Sequence, residues 1–257
     1  MRPEHKEEMK ARARNICLVV SYDGTNYHGF QRQKPPVPAV QNVLEEKLSL
    51  VFGDSVELAA AGRTDAGVHA YGQVVNFFTN GRIPIERVPQ AANGLLPADI
   101  AVLGASEADF DFSARHSAKS TTYIYRIQQG PLPNPFTRNY AWHVPRPLDR
   151  GAMEEALACI LGTHDFTSFR ASGGAPMSPV RTMYRAEIGE KDGMMEIIIH
   201  GNGFLYHMVR NLVGTLVNVG LGRIAPLGFR EILEARDRKK ASPTAPAQGL
   251  YLFSVEY

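Results

Sequence analysis

The sequence of 257 residues has little cysteine and no long apolar run. Its two cysteines, Cys17 and Cys159, are too few for a disulfide framework, and neither belongs to a Cys-x-x-Cys motif or pairs with a histidine at zinc-ligand spacing. No apolar segment approaches the roughly 20 residues that a membrane-spanning helix needs. These absences favour a reducing, cytoplasmic location, with no membrane association and no structural metal.

Charge is also close to balanced, with a net value of +2. Residues 1–112 carry 11 Lys/Arg and 14 Asp/Glu, whereas residues 113–257 carry 17 and 12. A basic second half is compatible with a phosphate backbone as ligand, and equally with an ordinary surface. The first 14 residues are charged and lack the apolar core of a secretory signal, so we expect a mobile N-terminal arm over residues 1–14.

Hydrophobic periodicity predicts the same order of elements in both halves of the chain. The predicted strands of the first half cover residues 16–22, 56–60, 73–79 and 100–103. Its helices are an amphipathic one from Val40 to Val51 and one that Pro84 opens and Gly94 ends. The predicted strands of the second half cover residues 121–128, 181–188, 195–200 and 250–255. Its helices are one capped by Asp149, one over residues 205–219 and a short one from Pro226.

The order β-α-β-β-α-β in each half predicts an α+β protein made of two ferredoxin-like domains with antiparallel-rich sheets. We expect an N-terminal domain over residues 15–110 and a C-terminal domain over residues 111–257. A cleft where two such sheets meet is a natural place for a large ligand, so we expect a central active-site cleft.

One loop combines glycines with a carboxylate: Gly62-Arg63-Thr64-Asp65-Ala66-Gly67-Val68-His69-Ala70. Glycines on both sides of Asp65 permit tight turns and close approach of a ligand. By spacing alone, such an aspartate is most often a turn residue that hydrogen-bonds its own backbone. The functional alternative is a positioned carboxylate that acts as a nucleophile. Spacing does not decide between these two interpretations.

The unbroken nine-residue run resembles the signature of the tRNA pseudouridine synthase A family. Further segments resemble the same family in the same order, among them Tyr22-Asp23-Gly24-Thr25, Tyr123-x-Tyr125-Arg126, Gly203-Phe204-Leu205-Tyr206-His207-Met208-Val209-Arg210-Asn211 and Thr244-Ala245-Pro246-Ala247. The resemblance runs from about residue 16 to residue 257. Two single side chains depart from the pattern, since Phe30 stands where the family usually has tryptophan and Ser113 where it has histidine.

The resemblance implies a role for four residues. Asp65 would be the nucleophile, Arg210 its ionic partner, Tyr123 the residue that stacks on the target base, and Arg63 the residue that helps to extrude the target nucleotide. It also implies a homodimer that isomerises uridine to pseudouridine at positions 38, 39 and 40 of the tRNA anticodon stem-loop. The reaction exchanges a C–N for a C–C glycosidic bond without redox change, so we expect neither a cofactor nor a metal.

The residues themselves leave other interpretations open. Tyr123 on a strand is typical of core packing, and Arg210 falls at the edge of a helical apolar stripe, where a surface arginine is common. A basic cluster (Arg236, Arg238, Lys239 and Lys240) is compatible with RNA phosphates or with a solvated helix end. Two other functions are a non-catalytic RNA-binding module and a glycosidic-bond hydrolase, which needs a second carboxylate such as Asp23.

Overall fold

The computed structural model describes residues 13–174 and 177–257, and the chain divides into two compact units. Unit 1 comprises residues up to Ala118 together with Leu252–Tyr257, and unit 2 comprises Lys119–Tyr251. Residues 1–12 of the predicted N-terminal arm lie outside the described residues. The domain limits expected from the sequence remain a prediction.

Unit 1 is built on antiparallel strands. They are β1 (Arg14–Tyr22), β2 (Ala59–Ala60), β3 (His69–Thr79) and β4 (Ile100–Ala108). Strand β1 lies between β4 and β3, and Cys17 is paired with Asn76 on one side and Ser106 on the other. Its buried residues alternate as Ile16, Leu18, Val20 and Tyr22, as expected for a strand with one covered face.

Two helices accompany this sheet: α1 (Val40–Phe52) and α2 (Val88–Asn93). Helix α1 buries a residue every fourth position, from Val40 to Phe52, and the Phe52 ring meets the Phe77 ring of β3 edge-on at 5.0 Å. The prediction of a single helix after Pro84 is wrong, because a separate 3₁₀ turn over Ile85–Arg87 precedes α2. A proline in the first turn of α2 lacks the N–H that a continuous α-helix would use.

Unit 2 contains most of the remaining strands. They are β5 (Ser120–Gln129), β6 (Trp142–Val144), β7 (Gly162–Asp165), β8 (Val180–Lys191) and β9 (Met194–Gly201). The order is β5-β9-β8-β7 with antiparallel pairs, and β6 pairs with β5 in parallel. The last strand, β10 (Leu250–Glu256), begins in unit 2 and ends in unit 1, where it lies next to β3.

The helices of unit 2 are α3 (Arg150–Ala158), α4 (Met208–Gly220) and α5 (Pro226–Ala235). Asp149 caps α3 as predicted, because its Oδ1 accepts a hydrogen bond from the Ala152 N–H at 3.0 Å. The helix predicted from Leu205 begins three residues later. His207 has φ 57°, which a right-handed helix cannot include, so the helix starts only at Met208.

The predicted α+β fold with antiparallel-rich sheets is confirmed by these elements. The second half is richer than the predicted β-α-β-β-α-β, because β6 and β7 are short strands that the sequence pattern did not indicate. No helix within residues 13–174 and 177–257 is long and apolar enough to cross a membrane.

Candidate active site

Asp65 opens a tight turn in the loop between β2 and β3. The Val68 N–H donates to the Asp65 carbonyl oxygen at 3.1 Å, with Ala66 and Gly67 in the centre of the turn. Gly67 has φ 76°, which a residue without Cβ adopts at no steric cost. The side chains around the turn differ in exposure, since Val68 is buried, Asp65 is half-buried and Arg63 is exposed.

The backbone of the preceding segment holds this loop from one side. The Phe30 N–H donates to the Thr64 carbonyl oxygen at 3.0 Å, and the Gly67 N–H donates to the Tyr27 carbonyl oxygen at 3.3 Å. Two glycines permit the approach. A Cβ on Gly24 would lie 2.0 Å from the Val68 carbonyl oxygen, and one on Gly29 would lie 2.7 Å from that of Thr64.

Buried polar side chains hold the loop from the sheet. The Tyr22 and Thr64 hydroxyls are 2.7 Å apart, and Gln73 Nε2 donates to the Gly62 carbonyl oxygen at 2.9 Å. Burial raises the pKa of Tyr22 to about 12, against the opposing effect of its hydrogen bonds with Thr64 and Gln73. The residues on both sides of Arg63 are therefore attached to strands β1 and β3.

His69 follows the loop and is buried. Its Nδ1 lies 3.1 Å from the Gly24 backbone nitrogen and 3.1 Å from Asp23 Oδ1. These two contacts require opposite protonation of Nδ1. Because the backbone N–H can only donate, Nδ1 is the acceptor in the contact with Gly24. Asp23 Oδ1 accepts from the Thr25 N–H at 2.9 Å, so the carboxylate that the hydrolase interpretation requires is engaged in a local turn.

In unit 2, Tyr123 lies on β5 and is half-buried. Its ring meets that of Phe204 edge-on, with centroids 4.9 Å apart. Tyr125, two residues further along the strand, is fully buried, and its hydroxyl donates to the Pro246 carbonyl oxygen at 2.7 Å. The two tyrosines share one face of the strand, but only Tyr125 is a core residue.

Arg210 lies in the first turn of α4 and is half-buried, which agrees with a position at the edge of the apolar stripe. Its Nε donates to the Ala245 carbonyl oxygen at 2.8 Å, and its own carbonyl oxygen accepts from the Ala245 N–H at 3.1 Å. Burial raises the pKa of Tyr125, and the positive charge of Arg210 partly opposes that rise. The guanidinium is thus oriented by the segment that precedes β10.

The basic cluster does not form a uniform phosphate-binding patch. Arg238 donates to the carbonyl oxygens of Ala241 and Ser242 and to Asn211 Oδ1, so it supports the local chain. Arg236 Nε lies 3.4 Å from Asp165 Oδ2. Lys239 and Lys240 are exposed.

The structure thus places the four predicted site residues in two pairs, with Arg63 and Asp65 in unit 1 and Tyr123 and Arg210 in unit 2. Sequence reasoning assigned no role to Tyr22, Gln73 or Phe204. Tyr22 is the last residue of β1, and Gln73 lies on β3. For Gln73, the signal available in the sequence was a polar residue at a buried strand position. Within the described ranges, no three His, Cys, Asp or Glu side chains form a group that could hold a metal ion.

Sequence comparison with known proteins identifies the family of the chain. A family model described as tRNA pseudouridine synthase matches residues 18–117 and 156–257. The chain belongs to this family. Membership makes it an isomerase, and the first matched range contains the whole Asp65 loop.

Curated relatives named tRNA pseudouridine synthase A are similar over almost the full chain. The protein of Thermoanaerobacter sp. (strain X514) is 48% identical over 244 residues, which cover 95% of this chain and 100% of the relative. That of Acetivibrio thermocellus is 45% identical with the same coverage. That of Neisseria meningitidis serogroup C is 41% identical over 247 residues, which cover 96% of this chain and 93% of the relative.

Among solved structures, a chain of a Cbf5-Nop10-Gar1 complex is similar with a TM-score of 0.35 and 15% identity. The match covers 85% of this chain and 48% of that one.

Proposed function

We propose that the protein isomerises uridine to pseudouridine at positions 38, 39 and 40 of the tRNA anticodon stem-loop, with Asp65 as the nucleophile. The observation that carries this proposal is the geometry of the Asp65 turn. Backbone hydrogen bonds from Phe30 and Gly67 and side-chain hydrogen bonds to Thr64 and Gly62 hold the loop, while the Asp65 side chain stays half-exposed. A reactive carboxylate needs this combination of a fixed backbone and an accessible side chain.

A carboxylate attacks only in its ionised form, so the proposal requires a cation that stabilises Asp65. We assign this role to Arg210, as the family resemblance implies. Its guanidinium is oriented by the hydrogen bond to the Ala245 carbonyl oxygen and is half-buried, so its charge is less screened than that of an exposed arginine.

The target uridine must leave its stem before its ribose and C5 can react, at a cost of a few kcal/mol. We propose that Arg63 assists extrusion, because it is exposed on the same loop, two residues before the nucleophile. Tyr123 is proposed to stack on the extruded base. The edge-on Phe204 ring supports one side of Tyr123, and a half-buried aromatic face of this kind suits a uracil ring.

The decisive experiment replaces Asp65 by Asn and measures tritium release from C5-labelled uridine in tRNA. We expect no release, because the amide is not nucleophilic, and tRNA binding within roughly tenfold of wild type, or about 1.4 kcal/mol. Asp111→Asn is the matched control, since Asp111 is an exposed carboxylate of the same unit. An active Asp65→Asn enzyme would exclude the nucleophile assignment.

Product analysis separates the alternatives. A hydrolase would release uracil and leave an abasic ribose, whereas a non-catalytic module would bind tRNA and leave every uridine unchanged.

Substrates with a single uridine at position 38, 39 or 40 test the site of modification. Sedimentation of the enzyme with and without tRNA tests the proposed homodimer, and fractionation of the source cells tests the proposed cytoplasmic location.

A further inference from the structure

Three buried polar side chains form a network beneath the Asp65 loop. Tyr22 and Thr64 are 4% and 7% exposed, and Gln73 is fully buried. The Tyr22 hydroxyl lies 2.7 Å from Thr64 Oγ1, and the Gln73 side chain is near enough to oppose the rise of the Tyr22 pKa. The Gln73 Nε2 in turn donates to the Gly62 carbonyl oxygen at 2.9 Å. The network therefore joins β1, β3 and the loop residues on both sides of Arg63.

Packing alone does not call for these polar groups. Phenylalanine would fill the volume of Tyr22 and valine that of Thr64, and burying a hydroxyl is unfavourable unless it is hydrogen-bonded. The hydroxyls fix the orientation of the Thr64 side chain, because a hydrogen bond is directional and an apolar contact is not.

Thr64 passes this restraint directly to Asp65. Its carbonyl oxygen, which belongs to the peptide group joining the two residues, accepts from the Phe30 N–H at 3.0 Å. Its side chain is held by Tyr22. Thr64 is thus restrained at both ends, and the Asp65 carbonyl oxygen is bonded to the Val68 N–H at 3.1 Å, so hydrogen bonds hold the Asp65 backbone on both sides.

We propose that Tyr22, through Thr64 and together with Gln73, is a positioning residue for the Asp65 carboxylate. The proposal rests on the proposed function, since it takes Asp65 as the nucleophile. The Tyr22 hydroxyl exchanges no proton with the substrate. It keeps the loop in the geometry in which the Asp65 carboxylate reaches the extruded nucleotide. A displacement of about 1 Å at a reacting group lowers a rate by about 100-fold.

The test compares kcat and KM of Tyr22→Phe, Thr64→Val and Thr64→Ser on full-length tRNA. We expect kcat to fall roughly 10- to 100-fold in Tyr22→Phe and Thr64→Val, with KM within about threefold of wild type. Thr64→Ser keeps the hydroxyl, so we expect its kcat within about threefold of wild type. Because the two hydroxyls act through one bond, the double variant Tyr22→Phe/Thr64→Val should be no more than about threefold slower than the slower single variant.

Tyr257→Phe is the matched control. The Tyr257 hydroxyl donates to the Ala114 carbonyl oxygen at 2.8 Å, a bond of the same unit that involves no residue of the loop. We expect this variant to keep its kcat. If Tyr22→Phe and Thr64→Val lower only the melting temperature, and each folded molecule turns over at the wild-type rate, the role is structural and the proposal is wrong.

The outcome for Asp65→Asn keeps the two proposals apart. An inactive Asp65→Asn enzyme combined with full kcat in Tyr22→Phe overturns the positioning role alone. An active Asp65→Asn enzyme overturns the proposed function, and the positioning role with it. Should Tyr22→Phe fail to fold, the contrast between Thr64→Val and Thr64→Ser decides, since equal kcat in these two variants contradicts the proposal.

Discussion

The contact between Gly24 and the Asp65 loop leads to a strong prediction. In Gly24→Ala, the added Cβ would lie 2.0 Å from the Val68 carbonyl oxygen and 2.6 Å from its carbon. Both obstructing atoms are backbone, so no side chain can rotate away. The two segments must separate by more than about 1 Å to restore an ordinary carbon–oxygen contact of roughly 3.3 Å.

The cost has two parts. Overpacking of this kind costs about 3 kcal/mol, at the upper end of the usual range. Separation also lengthens the 3.1 Å hydrogen bond from the Gly24 N–H to His69 Nδ1, which is worth about 1 kcal/mol. We therefore expect unit 1 to lose about 4 kcal/mol of unfolding free energy and its melting temperature to fall by roughly 15 °C. Val68 closes the turn that Asp65 opens, so kcat should also fall by about 100-fold.

Scanning calorimetry is the appropriate assay, because a chain of two compact units need not unfold in a single transition. The matched control is Gly104→Ala in β4 of the same unit, where a Cβ would meet nothing within 4 Å. We expect this control within about 0.5 kcal/mol of wild type. A Gly24→Ala protein that melts within 2 °C of wild type and keeps its kcat would refute the packing argument.

Two further predictions concern stability. Because the folded pKa of Tyr22 is raised to about 12 from an unfolded value near 10, its contribution is fully present below pH 10 and is lost as pH rises through 12. The unfolding free energy should therefore fall between pH 9 and 12 by about 2 kcal/mol less in Tyr22→Phe than in wild type, and equal slopes would contradict this. Asp149→Ala removes the N-cap bond to the Ala152 N–H, so we expect a loss of about 1 kcal/mol in urea unfolding, with Asp149→Ser recovering most of it.

Local pattern was enough to predict the elements that bury one regular face. The apolar, β-branched run from Ile16 to Tyr22 predicted β1, and the apolar spacing from Val40 predicted α1. Strands β6 and β7 were missed because segments of three and four residues are too short to show a period. The start of α4 was misplaced because the left-handed φ of His207 leaves no trace in the spacing of apolar residues.

The candidate site was predictable to a different extent. The Asp65 loop is contiguous, so its glycines and carboxylate are visible in one segment of sequence. The groups that support it come from positions 22 and 73, and a tyrosine at the end of a buried strand is indistinguishable by pattern from a core residue. Only the pairing of β1 with β3 brings both strands under the loop.

Strand β10 determines when unit 1 can finish folding during translation. Unit 1 includes Leu252–Tyr257, where the Tyr257 hydroxyl bonds the Ala114 carbonyl oxygen and the Phe253 ring meets that of Tyr71. Domains usually fold from the N-terminus as they leave the ribosome. Here Leu252–Tyr257 is translated after all of unit 2, so the unit that contains the Asp65 loop is complete only once this segment has been made. A nascent chain halted before Leu252 would carry every proposed catalytic side chain, and its N-terminal sheet would still lack a strand.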